Sequence, residues 1–142
     1  MRFIITAQAD TAAGHPGEID EELIRAYMQF NEAMHEAGIL VASEGLNPSA
    51  PGVRVATRNG QRYVVDGPFA ESKELVGGFY VIDVPSLEEA IHWALRAPSG
   101  MGTDDILEVR QLTGAGDIPP EMMRLIEEAA PLWSAAVFAK TR

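Results

Sequence analysis

The chain has 142 residues, 46% hydrophobic and 23% charged, the usage of a globular domain long enough to bury a core. It has no cysteine, which excludes a disulfide framework, a thiolate metal site and a cysteine nucleophile. A formal net charge of −10 leaves no basic footprint for nucleic acid and opposes anionic lipid. No apolar run approaches the roughly 18–20 residues that span a bilayer. Met1 runs directly into Phe3-Ile4-Ile5 without the pattern of a secretory leader. The expected compartment is therefore the cytoplasm, and neither nucleic acid nor membrane is an expected partner.

Residues 2–7 read as a first strand, and Thr11 to Gly17 as a loop of small residues. Asp20 is placed to cap a helix whose first turn carries Glu21 and Glu22. Leu23, Tyr27, Phe30, Met34 and Ala37 recur at helical spacing, and Gly38 stands where a helix-ending glycine belongs. Ile39 to Leu46 reads as the second strand, broken by Asn47 to Gly52. Val53–Arg58 and Gln61–Asp66 flank Asn59-Gly60, the sequence of a type I′ hairpin turn. Gly77-Gly78 opens the strand Phe79 to Val84, where the glycines permit a bulge or a tight entry. Ser86-Leu87-Glu88-Glu89 is a capping box, and Leu87, Ala90, Ile91, Ala94 and Leu95 predict one apolar helix face, stopped by Pro98. After the loop Ser99 to Thr103, Ile106 to Leu112 is the last strand.

This order predicts an α+β fold: a ferredoxin-like βαββαβ core with an inserted β-hairpin. Several strands are apolar on both sides, with Phe79 and Val81 opposing Tyr80, Ile82 and Val84. Helices on one sheet face leave the other in need of cover. A second copy packed sheet to sheet predicts a homodimer; the alternative cover is the chain's own C-terminal segment. The core is expected over residues 1–112, with 113–142 a helical appendage that packs on the core or on the partner subunit. Pro119-Pro120 suits its helix start.

The segment Val64 to Asp83, VVDGPFAESKELVGGFYVID, resembles the DGPF-domain branch of the YCII-related family. Glu44-Gly45-Leu46, the Ser86–Pro98 helix and Glu108-Val109-Arg110 extend the likeness over residues 2–112. The resemblance implies a dimeric α+β barrel of ferredoxin-like subunits. It implies little about activity, because most members have no assigned reaction. Some YCII relatives act on small molecules with a histidine–aspartate pair. DGPF members tend to be encoded beside extracytoplasmic-function sigma factors, which implies such a factor as a partner.

Asp66 ends a hairpin strand before a glycine–proline turn. Its carboxylate serves either to accept backbone N–H groups in an Asx-type turn or as a general base at a pocket edge. Glu44 falls, by strict alternation, on the strand face of Leu40 and Ala42. It is a candidate acid–base there, or an ion-pair partner for Arg54, Arg58 or Arg110. Arg54, Tyr80 and Lys73 are the candidate ligand-binding side chains; Tyr80 otherwise reads as core and Lys73 as part of a solvated loop. His15, His35 and His92 do not fall where the relatives' histidine would be carried over. No His-x-x-His spacing predicts a metal, and no phosphate-binding pattern accompanies Gly77-Gly78, so no cofactor is expected. Two functions stay open: a small-molecule enzyme of lyase or isomerase type using Asp66 and Glu44, and a non-catalytic ligand-binding or regulatory module.

Overall fold

The computed structural model describes residues 1–8, 21–47, 52–67, 76–98 and 105–138. The Thr11–Gly17 loop, the Asp20 cap, Pro68 and Phe69 of the DGPF turn, Lys73 and the Ser99–Thr103 loop lie outside the described residues. In chain order the elements are β1 (Arg2–Gln8), α1 (Glu21–Glu36), β2 (Leu40–Gly45), β3 (Val53–Arg58), β4 (Gln61–Asp66), β5 (Val76–Asp83), α2 (Leu87–Leu95), β6 (Ile106–Gln111), α3 (Pro120–Ala129) and α4 (Pro131–Phe138).

β2-β5-β1-β6 form one antiparallel sheet, and β3-β4 form a separate antiparallel pair. The mixed α+β architecture is that of a ferredoxin-like core, with β1 and β5 central. Register sorts the side chains. Phe3 and Ile5 of β1 stand opposite Ile82 and Tyr80 of β5, and this face meets the helices. Phe3, Ile5 and Ile82 are fully buried among Phe30 and Met34 of α1 and Ala90 and Trp93 of α2. Each large side chain so buried contributes about 1.5–3 kcal/mol. Phe30 joins the layers, with its ring edge-on to Tyr80 at 5.4 Å and tilted to Trp93 at 6.4 Å.

Local signals set the element ends. Gly38 has φ +72°, the left-handed conformation that lets its N–H reach the His35 carbonyl and the chain leave α1. Asn59 and Gly60 have φ 50° and 76°, as a type I′ turn requires. The Ser86 hydroxyl accepts the Glu89 N–H at 3.2 Å and caps α2. Gly77 is the surplus residue where the β1–β5 register shifts between Ala7 and Gln8, the bulge that its glycines permit.

Three expectations need correction. β2 does not alternate strictly: Leu40 pairs with Ile82 and Ala42 with Val81, so Val41 is a bulge. Leu40 therefore faces the helices, while Ala42 and Glu44 face the other side of the sheet. The buried face of α2 is Ala90 and Trp93, whereas Leu87, Ile91 and Leu95 are exposed, Leu95 by 82%. One indole filling the space above small alanines replaces the predicted aliphatic stripe. Arg96 lies over that indole, 4.1 Å from its centroid. Ala37 falls in the turn beyond α1 and is exposed.

The side of the sheet away from the helices carries Ile4, Ala42, Phe79 and Val81, all half-buried in the single chain. The Arg2 Nε is buried on this side without a hydrogen-bond partner. Beyond β6, α3 and α4 pack chiefly on each other, with Trp133 edge-on to Phe138 at 5.7 Å.

Candidate functional site

Two glycines face each other across β2 and β5. Gly45 pairs with Gly78, one step along from the Ser43–Tyr80 pair on the helix-facing side. Glycine weakens a strand interior, so a facing pair calls for a spatial reason. At Gly78 an added Cβ would lie 3.0 Å from the Glu44 carbonyl oxygen, so a side chain there would force the β2 backbone to give way by a few tenths of an ångström. At Gly45 an added Cβ would meet nothing within 4 Å, because it would project into open space.

That space belongs to a cavity of about 270 Å³ between α1 and this end of the sheet. α1 supplies Ile24, Tyr27, Met28 and Asn31, one to two turns apart on a single face. The sheet supplies Gln8, Ser43, Glu44, Phe79 and Tyr80 with the glycines. The volume is close to the lower end of small-ligand sites, roughly 300 Å³. The Ser43 hydroxyl donates to Asn31 Oδ1 at 3.4 Å and ties the strand to the helix. Glu44 and Phe79 pair on the opposite side of the sheet and border the cavity from their strands, the Glu44 backbone carbonyl lying next to Gly78.

Burial, assisted by the negative charge of Asp105, holds the Tyr27 hydroxyl above the ordinary tyrosine pKa. Burial, assisted by Tyr27, does the same for Tyr80. Both phenols are thus neutral at physiological pH, able to donate one hydrogen bond and accept others. Two phenols, a hydroxyl and two amides on an otherwise apolar lining, bordered by Glu44, can orient a small molecule. They can also pass a proton to and from it.

The structure brings Glu44 and Tyr80 into one lining. Asp66 and Arg54 are not part of it. Asp66 stands opposite Val53 at the end of β4, exposed, beside a Gly67 whose N–H donates to the Gly52 carbonyl at 3.2 Å. Arg54 is on β3 opposite Val65. Lys73 is outside the described residues. Tyr27, Asn31, Ser43 and Gln8 were missed from the sequence. Tyr27 was absorbed into the apolar stripe of the first helix, where Asn31, four residues on, was the polar signal to notice. Gln8 gave no signal. Among the described residues no three acids or histidines are grouped to hold a metal, and no helix is long and apolar enough to cross a membrane.

Comparison with known proteins adds two findings. The model of the YCII-related domain family matches residues 1–113. An uncharacterized protein of Rhizobium meliloti (strain 1021) is 35% identical over 104 residues, covering 72% of this chain and 84% of that protein.

Proposed function

The chain belongs to the YCII-related domain family, and from that premise we propose that it handles a small molecule in the cavity between α1 and the glycine-floored end of the sheet. The observation that carries this reading is the Gly45–Gly78 pair. One glycine is favoured by strand approach; the other gives up strand stability and leaves the cavity open. In this reading Glu44 is the general acid–base of a lyase- or isomerase-type reaction. The phenols of Tyr27 and Tyr80 hold the ligand's oxygen or nitrogen atoms, and Ile24, Met28 and Phe79 pack its apolar part. Asp66 sets the turn out of β4, in the manner of the DGPF branch, and does not touch the ligand. The active unit is a homodimer. Half-buried Ile4, Phe79 and Val81 and the unpartnered Arg2 Nε support a second copy on the open sheet side.

A thermal-shift screen of a metabolite library tests the proposal. Ligands that stabilise the wild type should lose their effect on Gly45→Phe, whose ring fills the cavity. Glu44→Gln should keep the binding and lose any turnover. Hits that stabilise Gly45→Phe as well as the wild type would remove the cavity from the account. Turnover undiminished in Glu44→Gln would remove the acid–base role and leave a binding protein.

A further inference from the structure

The floor of the cavity is flat. Ala7, Gly78 and Gly45 stand in one row across β1, β5 and β2, so the row carries no side-chain atom beyond a single methyl group. Three neighbouring strands span about 10 Å. The next row inward brings Tyr80 beside Ser43 and closes the floor behind. Ile24, Tyr27 and Met28 of α1 form the facing wall. A slot of about 270 Å³ with a floor of bare backbone suits a flat molecule of roughly one or two rings.

Its electrostatics narrow the choice further. The polar side chains within the lining, Gln8, Tyr27, Asn31, Ser43 and Tyr80, are all uncharged at physiological pH. No lysine, arginine or histidine is among the described residues that line the cavity. Arg25 and His35 of α1 are exposed and outside the lining. Two acids stand close by. Glu44 borders the cavity from β2. β6 begins at Ile106, opposite Gln8, and Asp105 is the residue before it. Burial first, and then the negative charge of Asp105, hold the Tyr27 phenol above its ordinary pKa, so this carboxylate acts on the cavity from the end of the sheet.

An anion entering the slot would exchange water for a lining without a counter-charge and would meet the repulsion of both acids. An uncharged molecule finds phenols, amides and a hydroxyl that donate and accept hydrogen bonds. A cation finds the same acceptors, attraction from the acids and the faces of tyrosine rings. We infer that this cavity accepts flat organic molecules that are uncharged or cationic and rejects carboxylates and phosphates. The inference rests on the cavity reading of the preceding section and names the class of ligand that the cavity takes.

Benzamidine, benzamide and benzoate test it, because they share one planar shape and are a cation, a neutral molecule and an anion. Each is titrated at millimolar concentration into the isotopically labelled protein and read at the backbone amide signals of Gly45 and Gly78. Benzamidine and benzamide should shift both signals, and benzoate should bind at least about tenfold more weakly. Met28→Lys, at a position 55% exposed, introduces a cation at the rim of the slot. On this variant benzoate should gain several-fold in affinity and benzamidine should lose. Benzoate that binds the wild type as tightly as benzamide overturns the charge rule and leaves the cavity reading standing. An order of affinities that Met28→Lys leaves unchanged does the same. Failure of all three probes to shift either glycine overturns both the rule and the cavity reading.

Discussion

Val109 in β6 and Val64 in β4 are both strand valines with antiparallel partners, Ile5 and Val55. Val109 packs against the buried cluster beneath the helices, whereas Val64 is 61% exposed. Hydrogen-bond pairing is the same in kind in both places; what differs is the layer behind the strands. The four-stranded sheet is backed by Phe30, Met34 and Trp93, and the β3–β4 pair, an arm off that sheet, by nothing of comparable size among the described residues. Strand pairing therefore sets geometry in both regions, but packing supplies stability to only one of them.

The largest test of that contrast is to truncate each region in turn. Phe3→Ala should cost about 3–5 kcal/mol in chemical denaturation, whereas Val64→Ala should cost less than about 0.5 kcal/mol. Equal losses would mean that the arm is packed within its own chain. A finer test contrasts two glycines of the same sheet. Gly78→Ala should lose about 1–3 kcal/mol because its methyl group meets backbone, while Gly45→Ala should change stability by less than about 0.5 kcal/mol. Ser86→Ala, which removes the cap of a helix that backs the sheet, should cost about 1 kcal/mol. The smallest expected effect is alkaline. Tyr27 and Tyr80 are raised above 10.0 in the folded protein. Their neutral forms are thus favoured by folding, so this contribution is complete below pH 10 and is lost as pH rises through the raised values. Tyr80→Phe should make the alkaline fall in stability shallower, and pH titration of the melting temperature would show it.

Much of the architecture was legible because its signals are local. Asn59-Gly60, Gly38 and Ser86 each act through their own backbone or the next turn, and each stands where the pattern put it. The face of α2 was misread because periodicity favours the aliphatic residues Leu87, Ile91 and Leu95, whereas burial went to one tryptophan above small residues. The face of Leu40 was misread because no glycine marks the Val41 bulge. The candidate site was half legible. Glu44 and Tyr80 line the cavity, but the motif drew attention to Asp66, which belongs to the arm. Tyr27 and Asn31 join the lining only because α1 crosses this end of the sheet, a tertiary fact that no spacing along the chain encodes.

The bulge at Val41 gives the chain one residue of slack. Leu40 and Ala42 already pair with consecutive residues of β5, so deleting Val41 would leave Leu40 inward, Ala42 and Glu44 outward, and Ser43 within reach of Asn31. Removing any two residues from Ala42 to Gly45 would instead draw the break before β3 into the ladder and dismantle the cavity floor. Related chains are thus expected to differ in length by one residue at this point of β2 and to hold their length from there to the arm.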